Sequence, residues 1–387
     1  AAQSELNPRN QSDELAHTLA MLGRYHHYRA QHLQAIAYLE RARELAEPLD
    51  HELTLTDLYA FLAGAYQHLA RFDQSMQWAR QCVALGERKN YPPALAVGYE
   101  FLGEDLVLMG KWQEALGYAQ RDREIGARIG SLDRAAWSEF CRAYSLYGLG
   151  QLGEAHESAQ SGLALADQIG EGRLIVWLGA LLGFIEGSLG MDEPARLNAH
   201  LALTRADESG QVILQCWARY ALAYLHVKNR EWKPALELCH QGVALYTPTE
   251  NRVAQLYIGV ITPQAYYGAG QLEEAEEAIA DYLPLAHEVR SHHMEGVALR
   301  VQGQIYMAQT RWDEAGRALD MAIAKLEELG SRLELGHALY HRGILRQELG
   351  QVDPAHADTA RAQALFEECG AQPEIEKVTK EEASLAR

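Results

Sequence analysis

Positive charge is scarce in this 387-residue chain: 35 lysines and arginines face 53 aspartates and glutamates, for a formal net charge of −18. That balance argues against non-specific nucleic-acid binding, which needs basic residues to meet phosphates, and against docking on anionic membranes. Cysteine is equally sparse. Cys82, Cys141, Cys216, Cys239 and Cys369 are odd in number, scattered and without a C-x-x-C pair. A disulfide framework is excluded on this pattern, and a reduced, cytoplasmic chain is expected. No long apolar run reads as a membrane span, and no signal peptide is visible. The chain begins Ala-Ala-Gln-Ser without Met, which suggests a processed protein or a fragment.

Catalytic signatures are missing as well. No phosphate-binding G-x-x-x-x-G-K-[ST] occurs, and no DNA-reading helix-turn-helix stands out. Gly148-Leu149-Gly150-Gln151-Leu152-Gly153 matches the spacing of a dinucleotide fingerprint, but that motif needs a strand before it, and here it joins two helices. His287 and His292 are one residue too far apart for a zincin pair. His337 and His341 have i, i+4 spacing but no third ligand in view. The expectation is a chain that is not an enzyme, with no cofactor and no metal.

What is present is a period. Ala35, Ser75, Ala115, Ala155, Ala195, Ala235, Ala275, Ala315 and Ala355 stand 40 residues apart. Gly150-Gln151-Leu152-Gly153-Glu154-Ala155 returns as Gly270-Gln271-Leu272-Glu273-Glu274-Ala275 and as Gly350-Gln351-Val352-Asp353-Pro354-Ala355. A fixed period in this range marks a solenoid whose repeats touch only their neighbours. Within a repeat, helical spacing of apolar residues is broken twice. One break column holds Gly110, Gly150, Gly190, Gly270 and Gly350, the other Gly130, Gly170, Gly210, Gly330 and Gly370. Asp50 and Asn90 fill the second column early on and tolerate the same left-handed backbone, whereas Glu250 and Arg290 predict different loops after repeats six and seven. Each repeat therefore reads as a helical hairpin, helix A then helix B, with Asp353 a candidate cap for the last helix B.

Twelve residues before each alanine-column position stands Gly23, Ala63, Gly103, Ala143, Gly183, Ala223, Pro263, Gly303 or Gly343. Small groups there let the two backbones of a hairpin approach closely. Pro263 is the exception and predicts a kinked or shortened helix. The small residue, an aromatic three positions on (Tyr66, Tyr266, Tyr306) and a small residue nine further resemble the tetratricopeptide repeat over residues 14–370. The repeat is longer than the 34 residues usual in that family. The resemblance implies an all-α, right-handed superhelical solenoid of about nine hairpins. The expected division is a flexible segment at 1–12, the solenoid at 13–372 and a capping helix at 373–387. The closing stretch Ala364 to Ala371, followed by Pro373 to Val378, is similar to the ends of the C-terminal sensor arms of bacterial STAND-class signalling ATPases.

By that resemblance helix A lines the concave side. Eighteen residues before the alanine column, Trp137, Trp177, Trp217 and Tyr257 occupy one address in four successive repeats. Neighbouring columns add Phe140 and Tyr220, then Tyr144, Phe184 and Tyr224, then Tyr147 and Tyr267. Such rings either line a binding channel or pack helices together; their concentration in repeats four to seven points to binding. Glu100, Glu104 and Asp105 flank this stretch on one side and Arg300 on the other. The expected partner is a peptide, protein or small-molecule inducer in the groove, with an ATPase or effector module linked outside this chain. The alternatives are a stand-alone adaptor and a receptor for signalling peptides. No nucleic acid and no membrane is expected as a partner.

Overall fold

A computed structural model describes the backbone of residues 8–385 and the side chains of residues 13–380. The described residues form nineteen α-helices, one short 3-10 turn (Glu47–Leu49) and no strand. Helices A of the nine hairpins are α1 (Pro8–Tyr28), α3 (Glu52–His68), α5 (Pro92–Met109), α7 (Leu132–Gly148), α9 (Gly172–Leu189), α11 (Val212–Lys228), α13 (Arg252–Gly268), α15 (His292–Ala308) and α17 (Arg332–Glu348). Helices B are α2 (His32–Ala46), α4 (Phe72–Lys89), α6 (Trp112–Ile129), α8 (Leu152–Ile169), α10 (Asp192–Ser209), α12 (Trp232–Tyr246), α14 (Leu272–Glu288), α16 (Trp312–Glu328) and α18 (Val352–Cys369). A final helix, α19 (Gln372–Leu385), follows. Residues 8–12 belong to α1, so the expected boundary at 13 falls inside a helix; residues 1–7 lie outside the described residues.

Helix α16 shows how the sequence makes an outer helix. Its buried residues are Ala315, Ala318, Leu319, Ala322, Ile323 and Leu326, a stripe at helical spacing with charged residues on the other faces. Helix α9 is different. It is apolar all round and, among the described residues, the one helix long and apolar enough to cross a membrane. Buried residues cover most of its length, from Leu174 to Ser188, because it lies at the centre of the solenoid.

The alanine column is the contact line of each hairpin. Its nine members are all buried, eight of them completely. The facing small residues leave no room for more. A β-carbon at Gly303 would sit 2.6 Å from Leu319 Cγ and 3.4 Å from the Ala315 carbonyl oxygen. Helices end on the expected left-handed residues, Asp50 at φ 51°, Asn90 at φ 49°, and glycines after them. Arg290 corrects the sequence reading, because at φ 57° it adopts the same conformation as the glycines of its column. Only the loop at Glu250 departs: α12 stops early at Tyr246, and Thr249 caps it by donating to the Tyr246 carbonyl (2.7 Å). Asp353 lies in the first turn of α18, where its charge meets the helix dipole, rather than at the cap, which is Gln351. Pro263 does not shorten α13, which runs 17 residues like its neighbours. It is buried within the helix.

Successive turns of the superhelix touch. Ser291 Oγ donates to the Leu108 carbonyl (2.7 Å), and Arg332 Nε to the Leu149 carbonyl (2.9 Å), both 183 residues away. Trp112 Nε1 donates to Ser331 Oγ (3.0 Å) across 219 residues, and Arg290 pairs with Asp73 across 217. These offsets bracket five 40-residue repeats. The chain therefore turns once in about five hairpins, and its nine make nearly two turns. Helix α19 caps the end by packing on α18 and α9: Val378 is buried, and Lys228 Nζ meets Glu374 (2.6 Å).

Candidate functional site

The aromatic columns converge on the superhelix axis and mostly fill it. Trp217 is 1% exposed and touches Tyr144 (5.4 Å between centroids), Trp177 (5.4 Å), Phe184 (5.3 Å) and Tyr257 (4.7 Å). Its Nε1 donates to the Trp177 carbonyl at 3.1 Å. Phe184 also packs on Tyr220 (4.6 Å) and Tyr224 (5.1 Å), and the Tyr224 hydroxyl shares a hydrogen bond with Ser188 (3.0 Å). These rings bind one another. The physical reason is the tight turn of about five repeats, which brings one column from several hairpins to a narrow axis.

Open space survives nearer the N-terminus. A cavity of about 240 Å³ lies inside the ring made by helices A of repeats one to six. Trp137 and Trp177 form an aromatic wall, with Phe61 and Phe101 from α3 and α5. Glu100 and Glu104 of α5, Arg134 of α7 and Arg173 of α9 supply the charges. A smaller pocket of about 30 Å³ continues inward beside Phe140, Tyr144 and Tyr257. Of the residues expected in the site, Phe184, Trp217, Tyr220, Tyr224 and Tyr267 line neither space.

Arg300 lies elsewhere too. Its Nε donates to Glu334 (3.1 Å) and its Nη1 to Gln304 (3.0 Å). Gln304 in turn takes up His341 Nε2 (3.0 Å), so that histidine already has a partner.

The cavity charges are partly cancelled. Arg134 pairs with Glu100 and with Asp133 (2.6 Å). Burial holds Glu104 well above the usual carboxylate range, and neighbouring Glu100 pushes the same way, against a hydrogen bond from Gln67 Nε2 (3.2 Å). Burial likewise lifts Asp105 to about 8. Burial thus disfavours the ionised form of Glu104. Arg173 keeps an accessible guanidinium, 46% exposed, paired only peripherally with Glu171 (3.2 Å) and lying over the Trp137 ring (5.8 Å). Trp137 Nε1 is buried and has no hydrogen-bond partner.

Sequence reasoning missed Arg134, Arg173, Gln67, His27 and His68. A signal for them existed. In a 40-residue solenoid, positions i and i+40 stack, so residues close to the aromatic column in adjacent repeats share its wall.

No family model matches the chain, and no curated protein does. Solved structures do. The chain is similar to a Rap protein complexed with competence and sporulation factor, at 14% identity and a TM-score of 0.67, covering 94% of this chain and 100% of that one. It is also similar to the Rap conjugation gene regulator of the plasmid pLS20 in complex with the Phr* peptide, at 16% identity and a TM-score of 0.59, covering 92% and 96%. At such identities the likeness establishes the fold: the chain is a TPR-like helical solenoid of the kind Rap proteins adopt.

Proposed function

We propose that the chain is a non-enzymatic receptor for a short peptide, held in the cavity between Trp137, Trp177, Glu104, Arg134 and Arg173. The observation that carries this reading is the cavity wall. It joins flat aromatic faces to an accessible guanidinium and to a carboxyl whose ionised form burial disfavours. An extended peptide presents apolar side chains, acidic groups and backbone carbonyls together, and this wall offers a partner to each. The Rap regulator of similar fold solved with the Phr* peptide supports it. The named neighbours give no support to a fused ATPase or a small-molecule inducer, so the sensor-arm reading falls behind the peptide receptor. The five buried free thiols support action in a reducing compartment, which we take to be the cytoplasm.

The test is native mass spectrometry of protein purified gently from its own host, beside the variant Arg173→Glu/Trp137→Ala. We expect a peptide-mass adduct on the wild type that the variant lacks, with helical content unchanged. Adduct-free wild-type spectra, or an adduct the variant keeps, would count against the receptor.

A further inference from the structure

Three histidines meet at one edge of the cavity. His27 closes α1, His32 opens α2 and His68 closes α3, so the helix ends of the first two hairpins bring them together. Ring centroids are 5.3 Å apart for His27–His32, 5.1 Å for His27–His68 and 4.7 Å for His32–His68. One nitrogen from each lies within 4.8 Å of the other two. His27 Nδ1, His68 Nδ1 and both nitrogens of His32 are buried without a hydrogen-bond partner. His32 is completely buried. A neutral imidazole carries one donor and one acceptor, and leaving both unmatched in a protein interior is costly. Unpartnered buried nitrogens drawn together from three helix ends call for a shared partner.

We propose that His27, His32 and His68 form a binding site for a divalent transition-metal cation of the zinc class. Imidazole nitrogen suits these borderline-soft ions. Zinc–nitrogen bonds of about 2.0–2.1 Å place tetrahedral ligand atoms about 3.4 Å apart. The three nitrogens, all within 4.8 Å of one another, would have to close by ring rotation to reach that separation. Room for His27 is kept by Gly64, where a β-carbon would lie 3.3 Å from His27 Cε1. Three protein ligands leave a fourth position. His27 and His68 both line the cavity, as does Glu104. The open position therefore faces the cavity, where water or a ligand carboxylate completes the shell. The ion would tie the first hairpin to the second and add a Lewis acid to the cavity rim.

The probes are Zn²⁺ and Co²⁺, applied to the full chain without a histidine tag, stripped with chelator and dialysed. Binding is read by elemental analysis and by the visible absorption of tetrahedral Co²⁺. One equivalent per wild-type chain is expected. His32→Ala should abolish it. His27→Gln and His68→Gln, milder changes that keep hydrogen-bonding capacity, should weaken it by more than the roughly tenfold that loss of an outer-shell partner costs. His341→Gln should retain it. Circular dichroism identifies any variant that fails to fold, and the two glutamine variants keep the test open if His32→Ala does. Substoichiometric uptake by the wild type, equal uptake by all three cluster variants, or loss confined to His341→Gln would overturn the site. Because the protein is peptide-free in this experiment, the result stands apart from the receptor reading.

Discussion

Asp105 is completely buried, with Oδ1 accepting from Gln67 Nε2 at 3.1 Å and Oδ2 without a partner. Its environment suits the protonated acid, which burial stabilises up to about pH 8 against the opposing pull of Ser75, the Gln67 hydrogen bond and the Arg80 charge. In the unfolded chain it ionises near the ordinary value of about 3.9. Between these values the native state holds a proton that the unfolded state has released. Stability from this residue is therefore greatest at low pH and falls as pH rises from about 4 to about 8, by at most about 1.4 kcal/mol per unit. Asp105→Asn should remove that slope. Urea midpoints of the two proteins should lie close together near pH 5 and diverge near pH 8, with the variant the more stable. Parallel curves would show that Asp105 is ionised in the native state. Residues of this kind were half legible. The acidic trio was visible in the sequence, but the upward shifts of Glu104 and Asp105 came from burial, which no spacing reports.

Helix boundaries were the most legible feature. The glycines at both break columns, the small residues at the hairpin contact and the alanine column all do what their spacing implies. The misjudged elements were those where packing overrides local preference. Pro263 sits inside an unshortened α13, and Arg290 adopts a glycine's backbone. Thr310 is the extreme case. It occupies the column of Gly110, Gly150 and Gly190 at φ 59°, where a β-branched residue is strained. Left-handed backbone costs an L-residue roughly 1–2 kcal/mol, partly offset in glycine by greater freedom when unfolded. Thr310 is exposed, so its side chain adds little packing. Thr310→Gly should stabilise the protein by about 0.5–1 kcal/mol, seen as a higher denaturant midpoint. A lower midpoint would mean that the threonine contributes more than its backbone costs.

At the scale of the molecule, the contacts between turns decide the shape. Ser291, Ser331 and Arg332 supply side-chain hydrogen bonds to the turn below. Glycines make the approach possible. A β-carbon at Gly110 would lie 3.2 Å from His293 Cβ and one at Gly150 2.6 Å from Cys369 Sγ. The variant Ser291→Ala/Ser331→Ala/Arg332→Ala should loosen the superhelix without melting its hairpins, since each repeat rests mainly on its neighbours. Small-angle scattering should show a larger radius of gyration at unchanged helix content, with a stability loss of about 1–3 kcal/mol for each buried donor or acceptor left unmatched. An unchanged radius would show that stacking of adjacent hairpins alone fixes the pitch.

The sequence by itself determined the hairpins, their number and the lines along which they pack. Those features are local, and a 40-residue period states them nine times. It also placed Trp137, Trp177, Glu100 and Glu104 near a common surface. Only the tertiary structure decided the pitch. That quantity accumulates from small rotations between repeats, and residues roughly 200 apart set its limit. The pitch in turn decided which aromatic rings are core and which are wall. It carried Trp217, Phe184 and Tyr220 to a filled axis, left Trp137 and Trp177 beside open space, and sent Arg300 to another neighbourhood. The same stacking of helix ends brought His27, His32 and His68 together, although they belong to three different repeat columns.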